Sequence, residues 1–287
     1  MNRSRTSQGF TLIELITTLV ILVIVSVGIS GFIRSSVQIF ADVTEREQLL
    51  GDSRFIIERI TREVRDAVPS SVRVAGNTSV HCLQFVPIDY STFYIEAPIL
   101  PSGDTLLSVV AMGDIAGNAY VPDPVTTFAF VYPTRNEDVY NAAQNRRKDV
   151  MACTDDGADP SCATLDDADN ISNLTVSGAF AAESPADRVF FASVANSYCI
   201  RGGDVYFHQS GLTVAQPIFN SGGVLMAENI VNTLSANPAI QVAGSDDPFR
   251  SFDATLLSNA FVQLRLRFNR NDELINYNHE VHVANVP

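Results

Sequence analysis

The chain has 287 residues, which is enough for one large domain or two small ones. Its hydrophobic fraction of 46% is sufficient for a packed core. The formal net charge of −13 argues against nucleic acid as a partner, because phosphate binding requires a basic surface.

The N-terminal segment has the length and composition of a membrane span. The first nine residues are polar and basic, and nineteen consecutive uncharged residues separate Glu14 from Arg34. A secretory signal peptide has a shorter apolar core, of about 7–15 residues, followed by its cleavage site. A plain anchor of about 20 residues fits the length. It leaves Glu14 unexplained, because an isolated charge in a membrane segment costs at least a few kcal/mol.

The stretch GFTLIEL, residues 9–15, resembles the class III signal of type IV pilins and type II secretion pseudopilins. The resemblance implies that a prepilin peptidase cuts after Gly9 and N-methylates Phe10. Glu14 then becomes the fifth residue of the mature chain. In a stack of such helices its carboxylate can meet the amine of a neighbour, and a paired charge is tolerated where a lone one is not. We therefore interpret Glu14 as an assembly and register residue, whose charge also suits a helix N-terminus.

One long helix is predicted from about Phe10 to about Ala67. Residues 35–68 contain no proline, and an apolar stripe repeats every seven positions. Pro69 ends the helix. The stripe consists of Val43, Leu50, Ile57 and Val64. Because the leader is basic, the N-terminus is expected in the cytoplasm and the body in the periplasm, with the protein first in the inner membrane and then in a fibre. The predicted organisation is a prepilin leader at 1–9, a transmembrane or fibre-core helix at 10–33, an amphipathic helix half at 34–68 and a periplasmic head at 69–287.

The head is predicted to be β-rich, which gives an α+β fold with one long helix packed on an antiparallel body. Short alternating or apolar runs after Pro69 indicate strands. One hairpin is expected to turn at Gly202 and Gly203, and a second lies near the C-terminus. Residues 224–234 could form a short helix. The polar stretch at about 133–173 has turn chemistry and is interpreted as an excursion closed by a disulfide.

Four cysteines are present, and an even number beyond a membrane indicates two disulfides. Cys153 and Cys162 bound a short loop, which favours pairing between them. Cys82 and Cys199 would then pair by elimination. Free thiols in a cytosolic protein are the alternative, and the membrane segment disfavours it.

Other site chemistry is weakly indicated. His279 and His282 lie three apart in a predicted strand, so they point to opposite faces and do not suit a catalytic metal. An acidic cluster offers enough oxygen atoms for calcium, although its spacing does not match an EF-hand, and a solvated loop is favoured. The cluster consists of Asp155, Asp156, Asp159, Asp166, Asp167 and Asp169. The sequence contains neither a nucleophile elbow nor a P-loop, so we expect no enzyme activity and no cofactor.

The order of elements resembles J-type pseudopilins and the large, PilW-like minor pilins, in particular those of MSHA-like type IV pili. The resemblance covers the first quarter of the chain closely and the remainder in outline. It implies a minor pilin that helps to start or cap a pilus in a tip complex. Its partners would be the prepilin peptidase, other minor pilins, the major pilin and the inner-membrane assembly platform. The alternatives are a J-type pseudopilin of type II secretion and a tip adhesin. A membrane-anchored periplasmic enzyme would require an acid–base set that the sequence does not show.

Overall fold

The computed structural model describes residues 11–110, 113, 120–155, 171–240, 242, 244–253, 260–271 and 273–283. The chain divides into two compact units, Met1–Gly51 and Asp52–Pro287. The described part of the first unit is helical from Leu12 onward, and the second contains the end of that helix and all the described strands.

Helix α1 spans Leu12–Arg65 without a break. It ends two residues before the predicted position, and Ala67 already forms a β-bridge with Pro87. In the second unit, Ile57 and Val64 of the predicted stripe are buried, and so are Ile56 and Ile60. Val43, in the first unit, is 50% exposed, so the stripe is not buried along its whole length.

The described strands are, in chain order, β1 Arg73–Asn77, β2 Val80–Phe85, β3 Tyr90–Glu96, β4 Leu106–Val110, β5 Phe128–Val131, β6 Arg147–Asp155, β7 Ile171–Val176, β8 Arg188–Ala192, β9 Ala195–Arg201, β10 Asp204–Ser210, β11 Val224–Ala227, β12 Phe249–Phe252, β13 Phe261–Arg270 and β14 Glu273–His282. A short helix, α2 Asn136–Tyr140, and a 3₁₀ turn, Ala142–Gln144, precede β6.

The strands form three antiparallel groups, which confirms the predicted α+β class. One sheet has the order β1-β2-β9-β10-β11, and a second has the order β12-β13-β14. The other six strands close a barrel in the order β3-β4-β7-β6-β5-β8. The barrel interior is apolar, with Leu107, Val109, Leu174 and Phe191 completely buried.

The end of α1 lies against both open sheets. Ser53 Oγ donates a hydrogen bond to the Tyr277 hydroxyl of β14 at 3.0 Å. Arg59 Nε donates to the Tyr198 hydroxyl of β9 at 3.1 Å. Ser53 and Arg59 of α1 therefore contact the three-stranded and the five-stranded sheet, respectively, through tyrosine hydroxyl groups.

Both predicted hairpins are present. β9 and β10 turn at Gly202 and Gly203, whose φ angles of 61° and 89° are those a two-residue turn needs and a glycine adopts freely. In β13 the alternate residues Val262, Leu264 and Leu266 are buried, as the sequence pattern predicts. The register with β14 is unbroken over ten residue pairs.

The prediction of turn chemistry for residues 133–173 is wrong for residues 147–155, which form β6. β6 lies in the barrel wall between β5 and β7, with Val150 completely buried. Charged residues at the start of β6 obscure its strand character, but their side chains have local partners. The Arg147 guanidinium donates to the Val139 carbonyl oxygen at 3.0 Å and lies over the Phe128 ring. Residues 156–170 of the proposed excursion lie outside the described part.

The short helix suggested for residues 224–234 is also not formed. Its first residues make β11, which pairs with β10. Asn229 has a φ of 68°, a left-handed conformation that does not continue a right-handed helix. The backbone of Val231 then donates to the Arg267 carbonyl oxygen at 2.9 Å, so the segment runs beside β13.

Candidate processing and assembly segment

Glu14 lies in the first turn of α1 and closes a capping arrangement with Thr11. The backbone N and Oγ1 of Thr11 donate to Glu14 Oε2 at 3.4 and 3.2 Å. This is the glutamate half of a Thr-x-x-Glu capping box, in which the glutamate side chain accepts from the amide just before the helix. The pattern Thr11-x-x-Glu14 is visible in the sequence, but we did not predict this interaction from it. Gly9 and Phe10, the predicted processing residues, lie outside the described part of the chain.

The helix after Glu14 is apolar and exposed. Leu12 is 80% exposed and Phe32 is 73% exposed. By length and composition, α1 is the one described helix that could cross a membrane. A continuous exposed apolar surface of this length requires a membrane or a layer of other helices.

Three hydroxyl groups within this apolar stretch donate hydrogen bonds to backbone carbonyl oxygens of the same helix. Thr17 Oγ1 donates to the Glu14 carbonyl oxygen at 3.0 Å, and Thr18 Oγ1 donates to that of Leu15 at 3.0 Å. Ser30 Oγ donates to the Ser26 carbonyl oxygen at 2.8 Å. Because lipid offers no hydrogen bonds, such backbone contacts make polar side chains compatible with a membrane or a dry fibre core.

Cys82 and Cys199 are joined by a disulfide with an S–S distance of 2.05 Å. The two residues face each other on the adjacent strands β2 and β9. Both are completely buried, and Ile218 and Phe219 pack over them. Cys153 is also disulfide-bonded. Its predicted partner, Cys162, lies outside the described part.

The described residues contain no group of three or more His, Cys, Asp or Glu side chains arranged to hold a metal. His279 is half-buried and His282 is exposed, as expected for residues on opposite faces of β14. The side chain of Asp155 and all of Asp156, Asp159, Asp166, Asp167 and Asp169 lie outside the described part, so the calcium alternative stays a prediction.

A buried polar cluster joins β2 to the segment before β12. His81 Nδ1 lies 3.6 Å from Asp247 Oδ1, and His81 Nε2 lies 2.9 Å from the Ser235 carbonyl oxygen. Ser235 Oγ donates to Asp247 Oδ2 at 3.0 Å. In nucleophilic catalysis the serine hydroxyl contacts the histidine, whereas here it contacts the aspartate. The cluster therefore has the arrangement of a structural network.

Hydrogen bonds determine the charge state of Asp247. Burial alone would raise the pKa of its carboxyl group, but hydrogen bonds from Ser245 and Ser235 and the nearby His81 lower the pKa below its usual value. Asp247 is therefore charged at neutral pH. Sequence reasoning could not find the cluster, because its members are distant in the chain and form no motif.

The comparison with protein families agrees with the geometry of the N-terminal segment. Residues 4–30 match the model of the prokaryotic N-terminal methylation motif. The match covers the predicted cleavage site, Glu14 and most of the apolar run, and it supports a type IV pilin-like prepilin. Such a chain is processed by a prepilin peptidase and assembles with other pilins, and the apolar helix is consistent with an inner-membrane anchor. No curated protein and no solved structure matches the chain.

Proposed function

We propose that the chain is a minor pilin of an MSHA-like type IV pilus. Prepilin peptidase removes residues 1–9 and methylates Phe10, and the mature helix then enters a fibre. There the Glu14 carboxylate pairs with the N-terminal amine of a neighbouring subunit. The protein acts as a structural component, without a cofactor or an enzymatic reaction.

The observation that carries this proposal is the environment of Glu14. It is the one charged residue between positions 10 and 33. Within its own chain, its carboxylate is bonded only to Thr11 among the described residues, and the surrounding apolar side chains are exposed. A carboxylate placed in an apolar layer requires a positive partner. In a processed chain the new amine of a neighbour is such a partner.

The finer assignment rests on resemblance. Residues 32–74, the β9–β10 hairpin and the terminal residues 279–287 resemble those of the MSHA pilus biogenesis protein MshO and of J-type pseudopilins. By that resemblance the chain joins other minor pilins and the major pilin at or near the pilus tip, on the inner-membrane assembly platform. The buried Cys82–Cys199 disulfide supports a periplasmic head, because such bonds persist in oxidising compartments.

Processing is tested by co-expressing the full chain with a prepilin peptidase and measuring the N-terminal mass of the product. The expected product begins with N-methyl-Phe10, and Gly9→Ala leaves the chain uncut. A wild-type chain that stays uncut, or is cut elsewhere, would reduce the apolar run to a plain anchor.

Two substitutions separate the charge of Glu14 from its capping role. Glu14→Gln keeps an oxygen that can accept from Thr11, since glutamine also serves in a capping box. Glu14→Ala removes both the oxygen and the charge. We expect both variants to be cleaved and neither to enter fibres. If Glu14→Gln assembles as well as wild type, Glu14 acts only as a helix cap.

A type II secretion pseudopilin uses the same leader, so a cellular assay distinguishes the two machines. Deleting the gene should abolish surface pili and leave protein secretion unchanged. Loss of secretion with intact pili would assign the chain to the secretion system.

A further inference from the structure

β14 is the edge strand of the three-stranded sheet, and no other described strand pairs with its outer side. The backbone of Arg265 donates to the Pro248 carbonyl oxygen, on the side of β13 that faces β12. Even-numbered residues of β13 therefore bond to β14, and their partners in β14 are odd-numbered. The outward backbone groups belong to Leu274, Asn276, Asn278, Glu280 and His282. None of them makes a backbone hydrogen bond to another described segment.

This edge has few of the features that usually protect an edge strand from pairing, and its only acidic residues are Glu273 and Glu280. Natural edges are short, bulged, or carry lysine or proline. β14 is ten residues long, pairs with β13 without a bulge, and contains no lysine, arginine or proline. An exposed, regular edge of this length is a template for one more strand.

A groove beside the same edge could receive the side chains of an added strand. It has a volume of about 560 Å³ and lies between the end of α1 and β14. His279 is the one sheet residue among its lining residues, and Ile57 and Thr61 of α1 contribute to its floor. Thr61 Oγ1 is buried there without a hydrogen-bond partner in the described structure. A strand paired to β14 would direct every second side chain toward this groove.

The charged side chains around this edge indicate which residues a bound strand would carry. The groove rim has two acids and two bases, Glu58, Asp66, Arg62 and Arg65, and is balanced. On the solvent face of β14, Glu280 is exposed and faces the neutral Gln263. The favourable partner therefore has a basic residue opposite Glu280. A second copy is disfavoured, because β14 has no basic residue to offer and each chain carries a net charge of −13.

We propose that the outer edge of β14 binds an extended strand from a different polypeptide, with apolar residues at alternate positions and a basic residue near Glu280. The added strand would continue the three-stranded sheet and place its apolar side chains against Ile57 and His279. Phe55, which is 52% exposed, lies seven residues before Arg62 and therefore on the same side of α1.

The test uses the full-length chain in detergent and a fluorescent peptide of about nine residues, alternating valine and threonine with arginine at both ends. Asn278→Pro removes one outward N–H without breaking a bond to β13, and Asn278→Thr is the matched control that keeps it. We expect wild type and the control to bind alike, and Asn278→Pro to bind about tenfold more weakly.

A charge exchange provides a second measurement that does not depend on proline being accommodated. Glu280→Arg should bind the arginine peptide about fivefold more weakly and prefer the same peptide with glutamate ends. Equal binding by wild type and Asn278→Pro, with Glu280→Arg also unchanged, would place the peptide elsewhere. An absence of saturable binding to wild type would overturn the proposal. Leader cleavage does not depend on the edge of β14, so either result leaves the proposed function to be tested by its own experiments.

Discussion

The carboxylate of Asp247 lies 3.6 Å from the imidazole of His81, and both side chains are completely buried. Asp247 also accepts three hydrogen bonds, from the backbone and hydroxyl of Ser235 and from the hydroxyl of Ser245. Asp247 lies just before β12, and its carboxylate therefore connects this segment to His81 of β2 and to Ser235.

Replacing Asp247 should destabilise the head, especially near neutral pH. Its pKa is lowered in the folded state, so the stability it provides is complete above the unfolded value of about 4 and is lost as pH falls further. Asp247→Ala leaves buried donors unpaired and should cost about 3 kcal/mol at pH 7. Thermal unfolding measured from pH 7 to pH 3 should show that difference shrinking. Asp253→Asn, at an exposed position, is the control, and an equal loss there would contradict the prediction.

The Cys82–Cys199 disulfide should contribute more stability than the proposed Cys153–Cys162 bond. A disulfide restricts the unfolded chain more when it closes a longer loop, and Cys82 and Cys199 are 117 positions apart. The chain-entropy model gives about 5 kcal/mol for this loop and about 2.5 kcal/mol for the short one. Denaturant unfolding of the two double alanine variants checks the order, and peptide mapping by mass spectrometry checks the pairing. A larger loss for the short loop would be the opposite result.

Arg73 should be hard to replace even by lysine. Its guanidinium lies 3.4 Å from the centre of the Tyr140 ring, donates twice to Gln84 Oε1, and donates to the carbonyl oxygens of Thr213 and Val214. A lysine ammonium has no planar fork for these partners. We expect Arg73→Lys to lose about 2 kcal/mol of unfolding free energy. Arg54→Lys, on the exposed side of α1, should change it by less than about 0.5 kcal/mol.

The features that the sequence predicts well are local. The long helix follows from residues without proline, and the β13 pattern follows from alternation at positions such as Val262 and Leu264. The contact between His81 and Asp247 has no local signal, because it depends on how distant segments fold together. The same holds for closure of the barrel, in which β3 and β8 are neighbours although four strands separate them in the chain.

The assignment of β6 to the barrel, where the sequence suggested a polar excursion, has a direct test in two adjacent residues. Val150 is completely buried in the barrel, whereas Met151, at an irregularity in the ladder with β7, is 58% exposed. Val150→Ala should therefore cost about 2 kcal/mol, because it leaves a cavity in a packed interior. Met151→Ala removes more atoms but should cost less than about 0.5 kcal/mol. Denaturant unfolding of both variants decides the question. If both substitutions are neutral, residues 147–155 are not part of the core, and the excursion would have to begin before β6.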